Sequence, residues 1–96
     1  MTRTERGLEA ALQYVRDEFP DASVIDASRT THQGVVVSVL TVDMARPMVT
    51  VFTHDFLQMD PADIHRSLRL WGLAESLRAF GSGHHVTADV SGLLLA

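Results

Sequence analysis

The sequence predicts a two-layer α+β fold, in which two helices pack with an antiparallel sheet of three to four strands in the order α-β-β-β-α-(β). An amphipathic segment opens the chain, and a longer apolar segment with a strong helix-start signal lies in its last third. Between them lie three segments rich in β-branched residues. The connections between these three are too short for the crossovers that parallel neighbours need, so they are expected to form hairpins.

The first helix is predicted over residues 4–19. Thr2 and Glu5 have the spacing of a capping box at its start, and Pro20 ends it. Its apolar residues recur at three- and four-residue steps and form one stripe: Leu8, Ala11, Leu12, Val15 and Phe19. This helix is therefore expected to pack through one face.

Three strands are predicted next, over residues 23–31, 35–43 and 48–54, with connections at 31–34 and 44–47. The middle strand is apolar on both faces: Val35, Val37 and Val39 on one, and Val36, Leu40 and Val42 on the other. Helices cover one face of a small two-layer domain. The second apolar face is expected to be covered by another copy of the chain or by a partner.

The second helix is predicted over residues 61–80. Asp60 is a typical N-cap, and Pro61 suits the first helical position. The apolar residues of this segment, Trp71 among them, spread over more of the circumference than a surface helix buries. A possible fourth strand follows over residues 84–90, and a right-handed crossover through the helix would make it parallel to the third strand.

Three leucines, Leu93, Leu94 and Leu95, follow a Ser-Gly turn near the end of the sequence. Apolar residues grouped in this way rarely stay exposed, so they are expected to dock on the sheet edge or on a neighbouring subunit. Together with Trp71 they are the predicted interface residues.

The composition favours one folded domain. The chain has 96 residues, of which 46% are hydrophobic and 21% charged, and its net charge is −4. A negative chain offers no field that attracts phosphates, so nucleic acid is not an expected partner. No apolar run approaches the roughly 20 residues that span a bilayer, and no export signal is evident, so we expect a cytoplasmic protein without membrane contact. The absence of cysteine excludes disulfides and thiolate chemistry.

The helix, three-strand, helix order resembles the double-stranded RNA-binding fold. Modules of that family contact phosphates from a basic start to their second helix. Here the corresponding turn, residues 60–66, reads Asp-Pro-Ala-Asp-Ile-His-Arg, and its two aspartates would repel phosphate. The resemblance is one of topology alone and implies no RNA binding.

One group of residues is a candidate for chemistry: His32, His54 and Asp55. In an up-down-up meander, the first hairpin and the end of the third strand lie at the same sheet edge. Two imidazoles and a carboxylate suit zinc, manganese or iron, so a small metal-binding protein or enzyme is one hypothesis. No metalloprotease helix motif, nucleophile elbow or phosphate-binding loop accompanies these residues, and no cofactor is expected.

The leading hypothesis is a non-enzymatic protein-binding or regulatory module that associates with itself, as a dimer, or with another protein. It follows from apolar surface in excess of one small core, on the middle strand, on the second helix and in the leucine tail. A small-molecule site in the cleft between the second helix and the sheet is a third hypothesis.

Overall fold

The computed structural model describes residues 2–43 and 45–95 of the chain. Within them the elements are α1 Arg3–Glu18, β1 Ala22–Thr30, β2 Gly34–Thr41, β3 Met48–Thr53, α2 His54–Leu57, α3 Pro61–Trp71, α4 Leu73–Phe80, β4 Val86–Asp89 and β5 Gly92–Leu95. Helices packed with a mixed sheet confirm the predicted α+β class, and the sheet has one strand more than the largest expected number. Met44, in the predicted second hairpin connection, lies outside the described residues.

The start of α1 matches the sequence signal. The Thr2 side chain accepts a hydrogen bond from the backbone N–H of Glu5 at 3.1 Å, and the Glu5 carboxylate accepts one from the backbone N–H of Thr2 at 3.2 Å. These reciprocal bonds satisfy two donors that a helix start leaves without partners. The buried residues of the helix include Ala11, Tyr14 and Val15, which belong to the core.

The strands lie side by side in chain order, β1 to β5. The first three form the predicted antiparallel meander. β4 returns beside β3 in parallel, after the chain has passed through the helices, and β5 pairs antiparallel with β4. The sheet is therefore mixed, with β1 and β5 as its edges.

β5 contains Leu93, Leu94 and Leu95, which were expected to dock on the sheet edge or on a neighbouring subunit. Asp89 pairs with Gly92 across the turn that joins β4 to β5, and Gly92 has a φ of 128°. A positive φ of this kind is accessible mainly to glycine. A run of leucines has neither the alternation nor the β-branching that signals a strand, which is why only a docking segment was expected.

The predicted single helix over residues 61–80 is wrong in one respect, because it is divided into α3 and α4. Gly72 stands between them in the left-handed conformation, with a φ of 70°. This ends α3 and allows α4 to start in a new direction. The side chain of Tyr14 accepts a hydrogen bond from the backbone N–H of Ala74 at 3.0 Å and so satisfies a donor in the first turn of α4.

The short helix α2 was not predicted. Thr53 caps it by accepting a hydrogen bond from the backbone N–H of Phe56 at 3.2 Å. Phe56 and Leu57 are fully buried, and the Phe56 ring stacks on Phe52 with 6.0 Å between centroids. Tertiary packing thus stabilises a helix too short to form from its own sequence.

One core lies between the helices and one face of the sheet. Its fully buried side chains come from both layers and include Val37, Phe52, Ile64, Leu68 and Leu77. Within residues 2–43 and 45–95, no helix is both long and apolar enough to cross a lipid bilayer.

Candidate protein-interaction surface

The structure does not gather the candidate metal ligands into a site. His54 is the first residue of α2, and its Nε2 lies 3.1 Å from the carbonyl oxygen of Thr31. Asp55 is exposed in the first turn of α2, and His32 is exposed in the hairpin between β1 and β2. No group of three or more histidine, aspartate or glutamate side chains in the described part of the chain is arranged to hold a metal ion.

The predicted interface residues separate into two places. Trp71 is half-buried at the end of α3, with its ring 5.7 Å from that of Phe56, so it belongs to the helix layer. Leu93 packs against the core. Leu94 and Leu95 are 57% and 55% exposed at the edge strand. Of these four, Leu94 is the one that strand pairing places on the side of the sheet opposite the core.

We call the side of the sheet opposite the core the open face. Strand pairing fixes its members, since residues paired across neighbouring strands share a face. They are Val24, Asp26 and Arg29 on β1, Val36, Ser38 and Leu40 on β2, Val49, Val51 and Thr53 on β3, Thr87 and Asp89 on β4, and Leu94 on β5. Val42, predicted on this face, follows the end of β2 and is 77% exposed.

Val36 and Val51 form the centre of the open face. They are cross-strand partners and are only 5% and 6% exposed. Among the described buried hydrophobic residues, these two alone are not part of the core cluster. Their neighbours are less covered, because Leu40 and Val49 are half-buried and Val24 is 51% exposed. In the part of the chain that the structure describes, the centre of the open face is thus apolar and lies outside the core.

The charged residues of the open face are Asp26 and Arg29 on one side of this centre and Asp89 on the other. Arg29 is exposed on β1, and Asp89 lies on β4. The Asp89 carboxylate accepts a hydrogen bond from the Thr53 hydroxyl at 2.7 Å. This bond, with a second from the backbone N–H of Val90, lowers the pKa of Asp89 below its ordinary value. The carboxylate therefore stays ionised at neutral pH.

A groove of about 510 Å³ lies at the Asp89 side of the open face. It is lined by Gln33, Thr53, Asp55, Thr87, Asp89, Leu94 and Leu95. The lining contains two carboxylates and no basic side chain. The groove is therefore suited to a positively charged group that carries some apolar surface.

The third hypothesis placed a small-molecule site between the second helix and the sheet. Leu68, Leu73 and Leu77 of that helix segment are fully buried members of the core. A pocket of about 210 Å³ lies between the end of α4 and the sheet, and it is lined by Phe19, Asp21, Thr41, Met48 and Arg78.

Sequence reasoning identified the apolar second face of β2 but not the charged residues beside it. The alternation of Val49 and Val51 on β3 was a readable signal for the neighbouring strand. Asp89 gave no such signal, because its place beside Thr53 depends on the register of a parallel pair that forms across a long connection.

No protein-family model, curated protein or solved structure matches this chain.

Proposed function

We propose that this chain is a non-enzymatic protein-binding module that associates with a second copy of itself through the open face. The observation that supports this most is the Val36–Val51 pair, which is apolar, central and outside the core. A sheet with one face against helices and a second apolar face commonly buries that second face against another sheet.

A second copy fits the open face because the contact would be the same on both sides. In a two-fold dimer the same patch faces itself, so its apolar centre meets an apolar centre. Here the apolar residues Val36, Leu40, Val49 and Val51 are contiguous, and the charged residues lie around them. The aromatic residue Trp71, in contrast, is already packed within its own chain.

The size of the open face sets the strength of the expected dimer. Five strands about 4.8 Å apart and three rows of residues about 6.7 Å apart give roughly 480 Å² on each copy. A standard stable interface buries about 800 Å² per partner. The dimer is therefore expected to be weak and to depend on protein concentration.

Light scattering coupled to size exclusion, over micromolar to millimolar loading concentrations, tests the proposal. The mass is expected to rise from the 10.6 kDa of the single chain towards twice that value. A mass that stays at the single-chain value over the whole range would overturn the proposal.

A matched pair of variants locates the contact. Leu40→Glu places a carboxylate on the open face, whereas Leu70→Glu places the same group on α3 at a residue that is 81% exposed. Both add one negative charge, so general repulsion is equal. Leu40→Glu is expected to remain a single chain at concentrations where Leu70→Glu associates as the wild type does, with circular dichroism confirming that both are folded. Equal behaviour of the two variants would place the contact elsewhere.

A further inference from the structure

From the charge arrangement of the open face we infer how the second copy docks: the strands of the two sheets align so that Arg29 of each copy pairs with Asp89 of the other. This inference rests on the proposed self-association through the open face. It adds the orientation of the two copies and the polar contact that selects it.

One row of paired residues crosses the open face and defines its geometry. Arg29 pairs with Val36, Val36 pairs with Val51, and Val51 pairs with Thr87. Asp89 follows two residues after Thr87 and so lies on the same face of β4. Arg29 and Asp89 therefore lie on either side of the valine pair. They are three strand spacings, about 14 Å, apart across the strands and two residues, about 6.7 Å, apart along them.

Consider a two-fold axis that runs parallel to the strands and passes midway between Val36 and Val51. It places this row of one copy over the same row of the other copy, in reversed order. It stacks Val36 of each copy on Val51 of the other and lays β1 of each copy over β4 of the other. Arg29 then lies above Thr87, beside Asp89 and the groove. Sheets that pack face to face in this aligned manner are about 10 Å apart, a gap that long side chains bridge. Two Arg29–Asp89 contacts result, one on each side of the axis.

The other two-fold arrangement through the same valine pair is disfavoured by charge. An axis perpendicular to the strands lays each strand over its own copy, so that Arg29 faces Arg29. Like charges set opposite each other in an interface cost several kcal/mol. The aligned arrangement replaces this repulsion with two attractions.

Both charged groups are available for such a contact. The close ion pairs within the described residues are Arg16–Glu9 and Arg66–Asp63, and neither includes Arg29 or Asp89. Arg29 does interact electrostatically with Asp26, its neighbour on the open face. The one carboxylate beside Arg29 on the open face, Asp26, accepts a hydrogen bond from the backbone N–H of Ser28 at 2.9 Å. The Asp89 carboxylate is fixed by Thr53 at the margin of the groove, so a guanidinium would find it already oriented.

Charge reversal in two separate chains tests the docking. Arg29→Glu places two carboxylates opposite each other in its own dimer, and Asp89→Arg places two guanidinium groups opposite each other. Each variant alone is expected to associate at least about tenfold more weakly than the wild type, because like charges then meet twice. An equimolar mixture is expected to regain association, since a mixed dimer has opposite charges at both contacts.

Sedimentation equilibrium on each variant and on the mixture provides the measurement, with one variant labelled to identify mixed dimers. Asp26→Arg mixed with Arg29→Glu is the matched control. Its mixed dimer has one attraction and one repulsion, so it is expected to be weaker than the mixed dimer of Arg29→Glu with Asp89→Arg. Circular dichroism establishes that each variant is folded. If Asp89→Arg does not fold without its bond to Thr53, Asp89→Asn replaces it, because the amide oxygen can still accept the hydrogen bond from the Thr53 hydroxyl.

The outcomes separate this inference from the proposed function. If the wild-type chain never associates, both the proposed function and the docking are wrong. A wild-type dimer whose strength is unchanged by Arg29→Glu and Asp89→Arg retains the proposed function and overturns the docking. A mixed dimer that is as strong with Asp26→Arg as with Asp89→Arg, or no recovery with Asp89→Arg, also overturns the docking. Stronger recovery with Asp89→Arg than with Asp26→Arg supports it.

Discussion

Val37 and Val36 are neighbours on β2 that point to opposite faces of the sheet. Both are buried, with exposed fractions of 0% and 5%, yet Val37 belongs to the core cluster and Val36 does not. Val37 is buried in the core with residues of the helices, whereas Val36 is buried on the open face, outside that core. A side chain can therefore be almost inaccessible to solvent in the single chain without being part of the core between helices and sheet. Substitutions that compare the two faces can measure this difference.

The largest expected contrast is between two leucines truncated to alanine. Leu77→Ala removes a fully buried side chain of α4 and is expected to lower the free energy of unfolding by about 2–5 kcal/mol. Leu40→Ala removes a half-buried side chain of the open face and is expected to lower it by at most about 1.5 kcal/mol. Urea denaturation at two protein concentrations measures both.

Concentration provides the control in that experiment. The effect of Leu77→Ala is expected to be the same at both concentrations, because it weakens the single chain. The effect of Leu40→Ala is expected to grow with concentration, because the wild type gains stability from association that the variant loses. Equal losses for the two leucines, independent of concentration, would contradict the difference between the faces.

A smaller contrast is expected from threonine, which has nearly the shape of valine but carries a hydroxyl group. Val37→Thr places that hydroxyl in the core and is expected to lower the free energy of unfolding by about 1–3 kcal/mol. Val36→Thr places it on the open face and is expected to cost less than about 1 kcal/mol in the dilute protein. Thermal denaturation of the two variants at low concentration measures the difference, and a larger loss for Val36→Thr would contradict it.

The smallest expected effect concerns the polar margin of the open face. Thr53→Val removes the hydroxyl that bonds to Asp89 and that also caps α2, so circular dichroism must first establish that the variant is folded. In the folded variant the pKa of Asp89 is expected to rise towards its ordinary value of 3.8. Because the pKa of Asp89 is lowered in the folded protein, the stability linked to it is present above the unfolded pKa and is lost as the pH falls through the folded pKa. The part of the folding stability that is lost at acid pH is therefore expected to be smaller in Thr53→Val than in the wild type.

Carboxyl chemical shifts followed by NMR against pH measure that pKa. Asp26 is an internal control, because hydrogen bonds from Ser28 lower its pKa and are not touched by the substitution. An unchanged pKa of Asp89 in Thr53→Val would show that the hydroxyl does not hold the carboxylate.

Local signals predicted much of the fold. Three of the predicted features depend on residues that are close together in the sequence. They are the capping box of Thr2 and Glu5, the apolar stripe of α1 and the short connections of the meander. Three features depended on tertiary context instead. Burial of Phe56 stabilises α2, Gly72 divides a continuous apolar pattern, and β5 forms because β4 offers it an edge. Such contacts are not visible in a window of the sequence.

The candidate surface, too, was predicted only in part from local sequence. The apolar second face of β2 follows from simple alternation and was predicted. Arg29 was not, because alternation from Asp26 would place Ser28 on the open face. A register shift between Asp26 and Arg29 adds one residue and moves Arg29 to that face. A bulge of this kind depends on the pairing of two strands and cannot be read from either strand alone.

The two edges of the sheet limit how an assembly of this protein could grow. Long, straight edge strands act as templates for further chains and lead to fibrils. β1 is nine residues long but is interrupted by register shifts after Ala22 and after Asp26, and β5 has only four residues. Neither edge offers a regular ladder to an incoming strand. Assembly through the faces, which closes after two copies, is therefore compatible with a chain that resists polymerisation.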